Sequence, residues 1–186
     1  MSKTLDYLAT LPEEIMLLSI GMHGCRALAG RIEEDKDMAL SCYARGILEI
    51  GTCNAVSAVM LSEFGFVITL DVAQKEYAEQ VVAKSPYPRR ICRIVARDQV
   101  QARYMLSHAV CGADNGVFAL AFIDAVHDYT NVFNDYCYAR LLAERLAFHD
   151  YHAEKWPGVV KAVDEIAKIE GRRVNVLEKK GTCILE

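Results

Sequence analysis

The sequence predicts a doubly wound α/β sheet of five parallel strands, closed by a C-terminal antiparallel hairpin and covered by helices on both faces. Three observations carry this. Short apolar runs bounded by turn residues recur at 47–50, 66–70, 91–95, 117–123 and 145–148, and buried parallel strands read as continuous apolar runs. Helix-like segments lie between them at 56–63, 74–83, 101–110 and 130–142, the alternation that β-α-β units require. After a further helix at 159–169, the runs 172–178 and 182–185 are separated by only Lys179-Lys180-Gly181. So short a link cannot make a parallel crossover and predicts a hairpin.

Ahead of the first strand, Pro12-Glu13-Glu14 followed by Ile15, Leu17 and Leu18 reads as a helix start, with proline and acidic residues in the first turn. A second helix is expected over 31–43. The chain of 186 residues is long enough for one buried core and short for two. It therefore reads as a single domain, with an N-terminal helical segment over 1–45 and a sheet core over 46–186. Near the end, Trp156-Pro157-Gly158-Val159 predicts the turn into the last helix, with proline near its first position. Trp156 then serves either as a pocket wall or as a core anchor for that turn.

Hydrophobic residues make up 53% of the chain and charged ones 25%, and no apolar run of about 18 residues suggests a membrane span. The start, Met1-Ser2-Lys3-Thr4-Leu5-Asp6, lacks the cationic and apolar regions of a secretory signal, so a cytoplasmic location is expected. The seven cysteines are scattered, odd in number and without a C-x-x-C pair, which predicts structural thiols in a reducing compartment. Net charge is −4, and the densest basic cluster, Pro88-Arg89-Arg90 with Arg93 and Arg97, reads as solvated surface. No nucleic-acid partner is expected.

Function is legible first at the end of strand one. Leu48-Glu49-Ile50-Gly51-Thr52 leads into the small residues Cys53, Asn54 and Ala55 and then a helix, with Asp71 closing the second apolar run. Backbone N–H groups and a helix start brought close to a ligand, with an acid about twenty residues on to hold a ribose, indicate a nucleoside-containing cofactor. Asp71 has a second reading as a helix N-cap. Cys53 and Ala55 stand where such loops often carry glycine, so any positive φ there is costly. Asp124 follows a run that belongs in the sheet centre, which places its carboxylate at the C-terminal edge, where open α/β sheets bind ligands. His127 follows closely, and His149-Asp150-Tyr151-His152 emerges from the neighbouring strand. Two carboxylates and up to three imidazoles thus converge on one rim.

From residue 45 onward, the order of elements resembles that of the class I S-adenosylmethionine (SAM) dependent methyltransferases, whose Rossmann-like sheet also ends in a hairpin. Leu48-Glu49-Ile50-Gly51-Thr52 resembles the family's first motif, and Thr69-Leu70-Asp71 its second-strand acidic end. Asp124-Ala125-Val126-His127-Asp128-Tyr129 is similar to the fourth-strand Asp-x-x-His-x-Tyr pattern of one methyltransferase branch, and Phe148-His149-Asp150-Tyr151 with Trp156-Pro157-Gly158 resembles the segment after strand five in small-molecule O-methyltransferases related to macrocin O-methyltransferase. The resemblance implies SAM as cofactor, with Gly51 and Asp71 at the loop and ribose. It implies Asp98 beside the adenine amine (or capping a helix), Glu49 toward the loop or ammonium, and Asn54 and Ser57 as polar contacts. It also implies methyl transfer to a small-molecule hydroxyl, by either of two routes. In one, Asp124 and Asp150 hold Mg²⁺ or another divalent cation; Tyr151 stands where a related branch has an Asn ligand, so a third ligand is unassigned. In the other, His127 or His152 acts as general base. A SAM-binding module without transfer activity is the alternative. With no long insertion to form a lid, a homo-oligomer is also expected.

Overall fold

A computed structural model describes residues 2–12, 15, 22–73, 75, 77–110, 118–178 and 181–186. Three helices come first: α1 (Lys3–Leu8), α2 (Met22–Glu34) and α3 (Lys36–Arg45). The core then runs β1 (Ile47–Ile50), α4 (Val56–Leu61), β2 (Val67–Asp71), α5 (Ala78–Ala83), a 3₁₀ turn at Pro88–Arg90, β3 (Ile91–Val95), α6 (Gln99–Val110) and β4 (Phe118–Ile123). It closes with α7 (Tyr129–Ala139), β5 (Ala143–Phe148), α8 (Pro157–Glu170), β6 (Val174–Glu178) and β7 (Thr182–Leu185).

The sheet has seven strands in the order β3-β2-β1-β4-β5-β7-β6. β1 to β5 pair in parallel, while β7 is antiparallel to both β5 and β6. The predicted doubly wound topology is present, and its switch point lies between β1 and β4. Strand alternation divides the core in two. Ile47, Val67, Leu120, Phe122, Ala147 and Ile184 face a cluster with buried residues of α1 to α5. Leu48, Ile68, Leu70, Ile123, Leu146 and Phe148 face the other, with α6, α7 and α8. No helix among the described residues is long and apolar enough to cross a membrane.

Several boundaries differ from the sequence reading. The single helix expected over 31–43 is two helices. Asp35 leaves helical geometry with φ −99° and ψ 95°, and its Oδ1 accepts the Met38 N–H at 3.0 Å. An Asp that can cap a new helix competes with continuing the old one. The predicted start at Pro12 lies largely outside the described residues, as do Val117, Gln74, the turn residues 179–180 and Cys111. The helix α1, capped by Ser2, was not predicted. The Arg89-Arg90-Arg93 cluster is not simply solvated either: Arg90 donates to the Ser62 and Glu63 carbonyls at 3.2 and 3.3 Å, and the Arg93 side chain is only 9% exposed. Of the cysteines, Cys25, Cys42 and Cys183 are buried, whereas Cys53 and Cys137 are exposed.

Candidate active site

The loop after β1 is laced to both neighbouring strands. Gly51 and Thr52 donate their N–H groups to the Leu70 carbonyl at 2.8 and 3.2 Å, and Asp124 N–H donates to the Ile50 carbonyl at 2.8 Å. Gly51 has φ 109°, and a Cβ there would lie 1.9 Å from the Asp124 carbonyl oxygen. Only glycine permits both. Beyond it, Cys53 and Ala55 adopt φ 43° and 63°, so the left-handed conformation is kept without glycine, at roughly 1–2 kcal/mol per residue. Asp71 fixes this loop: Oδ2 accepts the Cys53 N–H at 2.8 Å and Oδ1 the Ala73 N–H at 2.9 Å. It caps no helix, since α5 starts later behind Tyr77.

Gly51, Cys53 and Asp71 line one cavity together with Leu70, Val72, Ala102, Arg103, Asp124, Ala125, Val126, Asp135 and Tyr138. The other predicted cofactor residues lie off this lining. Glu49 is fully buried, where Thr69 Oγ1 donates to its Oε2. Burial pushes its carboxyl up to about 8, against the lowering effect of the Ser57 and Thr69 hydroxyls. Asn54 is 4% exposed. Asp98 takes its capping role: Oδ1 accepts the Gln101 N–H at 2.8 Å while Gln101 Oε1 accepts the Arg97 N–H at 2.7 Å, a reciprocal cap of α6.

Four side chains meet at the ends of β4 and β5. His127 Nε2 lies 3.4 Å from Asp124 Oδ1 and 3.0 Å from Asp150 Oδ2; His149 Nδ1 lies 3.2 and 3.3 Å from the same two oxygens. His149 is 7% exposed. Its Nδ1 is buried without a well-directed hydrogen bond, despite the short distances. Burial alone would lower its pKa, but Asp124 and Asp150 outweigh it and push the imidazole up to about 10. Burial conversely raises Asp124, and the His127 and His149 partners more than reverse this, leaving it below the ordinary carboxylate value.

The packing holds these groups in place. Phe122 meets His149 edge-on at 6.1 Å, and Trp156 lies against His127 at 4.6 Å. Trp156 takes the core-anchor role, a half-buried neighbour of the core beside α8 that also packs on the His127 ring. From the N-terminal segment, Gly24 of α2 packs so closely that a Cβ would lie 2.4 Å from the His149 ring. Asp150 has φ 57° and is followed by a Tyr151 N–H donated to the Gly181 carbonyl at 2.6 Å.

One donor atom from each of Asp124, His127, His149 and Asp150 lies within 4.8 Å of the others. The carboxylate–imidazole separations are those of ligands around an ion with bonds of about 2.1 Å, for which neighbouring ligands stand about 3.0–3.4 Å apart. The buried His149 Nδ1, close to both carboxylates yet without a directed hydrogen bond, is compatible with the same account. One predicted participant falls outside. His152 Nδ1 accepts the Lys155 N–H at 3.4 Å, which corrects its placement among the converging imidazoles. Tyr151 turns to Asp164, donating its hydroxyl at 2.8 Å. The sequence reading placed His149 on the rim but gave it no role; its adjacency to Asp150 was the available signal. Asp135 and Arg103 carried no motif.

No family model matches the sequence, and no curated protein matches it. Solved structures do. CalS11, a calicheamicin methyltransferase, aligns with TM-score 0.58 and 12% identity over 99% of this chain and 91% of that one. MycE methyltransferase from the mycinamycin biosynthetic pathway, in complex with Mg, SAH and mycinamycin VI, aligns with TM-score 0.51 and 13% identity over 75% and 44%. A precorrin-6y C5,15-methyltransferase from Geobacter metallireducens aligns with TM-score 0.52 and 13% identity over 75% and 76%. The likeness is one of fold: with its doubly wound sheet and terminal hairpin, the chain has the fold of the class I SAM-dependent methyltransferases.

Proposed function

We propose that this protein is a SAM-dependent methyltransferase acting on a small-molecule hydroxyl, with a divalent cation at the rim. The observation that carries this is the double membership of Asp124, which lines the Gly51–Asp71 cavity and belongs to the four-residue donor group. A cofactor cavity and a candidate ion site thus share a wall. Support also comes from the structural neighbours: CalS11 is described as a TDP-rhamnose 3'-O-methyltransferase, and MycE was solved with Mg.

Asp71 would accept the ribose hydroxyls, and the Gly51–Cys53 backbone would approach the cofactor closely. Asp124, His127, His149 and Asp150 would hold the cation. When bound, SAM supplies an activated methyl group and the cation lowers the pKa of a hydroxyl. The chain's own task is positioning: Trp156 sets the His127 ring, and the β4 and β5 ends fix the carboxylates. Two imidazoles with two carboxylates favour Mn²⁺ or a neighbouring first-row ion over Mg²⁺. A second reading, a SAM-binding module without transfer activity, draws on the left-handed Cys53 and Ala55.

Calorimetric titration tests both. S-adenosylhomocysteine should bind saturably, and Mn²⁺ should bind more tightly than Mg²⁺. Asp150→Asn, which tolerates the positive φ, should keep S-adenosylhomocysteine binding while Mn²⁺ affinity falls at least about tenfold. Cofactor binding with no metal-dependent transfer across a panel of hydroxyl acceptors favours the second reading. Absence of S-adenosylhomocysteine binding removes both.

A further inference from the structure

Exposed apolar side chains gather at the end of the sheet opposite the candidate site. Helix α3 leads into β1 and Phe66 precedes β2, so both stand at the N-terminal ends of parallel strands, whereas the rim stands at C-terminal ends. Leu40 and Tyr43 of α3 are 68% and 69% exposed, and Phe66 is 44% exposed. They form one surface. Leu40 and Tyr43 are three positions apart on one helix face, and Gly65 packs against α3, where a Cβ would lie 3.2 Å from the Tyr43 Cα. Arg90 completes the surface: its guanidinium lies over the Tyr43 and Tyr87 rings at 5.9 and 4.6 Å and donates to the Ser62 and Glu63 carbonyls. An arginine held by two carbonyls and two rings has little side-chain freedom left to lose, which suits it to anchor an interface.

The charges around this surface say what covers it. Asp37 and Tyr43 lie three positions to either side of Leu40, so they flank it at opposite ends and on opposite sides of the helix face. Asp37 is exposed beside the exposed Glu33 and Glu34 of α2, and this flank stays acidic after the exposed Lys36 is counted. The Tyr43 flank carries Arg90 and the exposed Arg89. One flank is acidic and the other basic. A two-fold axis beside Leu40, with the two α3 helices crossing, sets the acidic flank of each copy against the basic flank of the other, as an isologous contact requires. We propose that this face is the interface of a homodimer, with Leu40, Tyr43, Phe66 and Arg90 at its centre and Asp37 fixing the register. A net charge of −4 weighs against a polyanion in the same place. The two candidate active sites then lie at the far ends of the dimer, so the assembly does not depend on the function assigned to them.

A few anchors are fewer than the roughly twenty residues a side of a standard interface, so a micromolar dissociation constant is expected. Sedimentation velocity on the full chain from about 1 to 200 μM should therefore pass from monomer to dimer. Leu40→Glu sets like charges together at the axis and should raise the dissociation constant at least about tenfold. Its near-UV dichroism should match the wild type, because Leu40 is exposed. Asp37→Lys and Arg89→Glu should each weaken association at least about threefold, and the double variant, which reverses acid and base in both copies, should return to within about threefold of wild type. That rescue separates a two-fold contact from non-specific association. A wild type that stays monomeric at the highest concentration, a dimer that Leu40→Glu leaves intact, or a double variant no tighter than the single ones overturns the assignment. A monomeric chain that binds single-stranded RNA, with binding abolished by Arg89→Glu, gives the surface to a polyanion and overturns it as well.

Discussion

Glu49 is a carboxyl group in the centre of a parallel sheet, and its energetics follow from that. Its pKa is about 8 in the folded chain against 4.5 when free. Between these values the unfolded chain releases the proton and the folded chain retains it, so stability is fully present below the lower value and falls as pH rises toward the upper one. The slope is about 1.4 kcal/mol per pH unit at most. Glu49→Gln should remove it: denaturant unfolding across this range should show the wild type losing ground to the variant as pH rises, and parallel curves would refute the buried titration. Strain in the first loop is likewise testable. Ala55 at φ 63° is penalised where glycine would not be, so Ala55→Gly should raise stability by about 0.5–1 kcal/mol; an unchanged or lower melting temperature counts against it. At this scale the sequence was readable wherever position alone decided the role. Asp124 ends a buried run, so it had to emerge at the sheet edge. Asp98 precedes a helix, where ligand contact and capping look identical in sequence, and only geometry separates them. His152 and His149 are equally plausible in the sequence; which one turns inward depends on the left-handed Asp150 between them.

Helix α2 reaches the rim across the sheet. Its Gly24 meets both His149 and Thr182, where a Cβ would lie 2.4 Å from the His149 ring and 2.0 Å from Thr182 Oγ1. Gly24→Ala must therefore displace α2 or the imidazole. Overpacking of this kind costs about 1–3 kcal/mol, and Mn²⁺ affinity should fall with it because the ring can no longer hold its place. Thermal unfolding and metal titration of the same variant check the two effects; wild-type values in both would show that α2 yields freely and does not support the rim. None of this was visible in sequence, since a glycine inside a helix announces close approach to something but not to what. The break at Asp35 was missed for a related reason: the apolar period continues through it while the local cap ends one helix and starts another. The strands were legible because burial on both faces leaves them continuously apolar, a signal that needs no partner to be read.

The topology explains why one loop and one rim become one site. The order of strands reverses between β1 and β4, so the loops after them diverge and open a crevice between Gly51 and Asp124, while their backbones remain in contact at its floor. The parallel order and terminal hairpin were both derivable from sequence, because link length and alternation restrict the choices sharply. The standing of residues 1–45 was not so restricted, since amphipathic helices ahead of a complete sheet can dock or swing free. Leu8, Cys25, Leu28, Ile32, Met38 and Cys42 are buried in one cluster with Ile47, Leu61, Val67, Phe122 and Ile184. Helices that share a core with the central strands have no separate hydrophobic interior with which to fold alone. We therefore expect the 186-residue chain to unfold in a single calorimetric transition, with equal calorimetric and van't Hoff enthalpies. A chain lacking residues 1–45 would expose the inner face of α4 and uncover His149, and should bind the dye ANS with partial loss of fixed tertiary structure. Two resolved transitions in the full chain, or a truncated chain with native near-UV dichroism, would show instead that the helical segment is a separable unit.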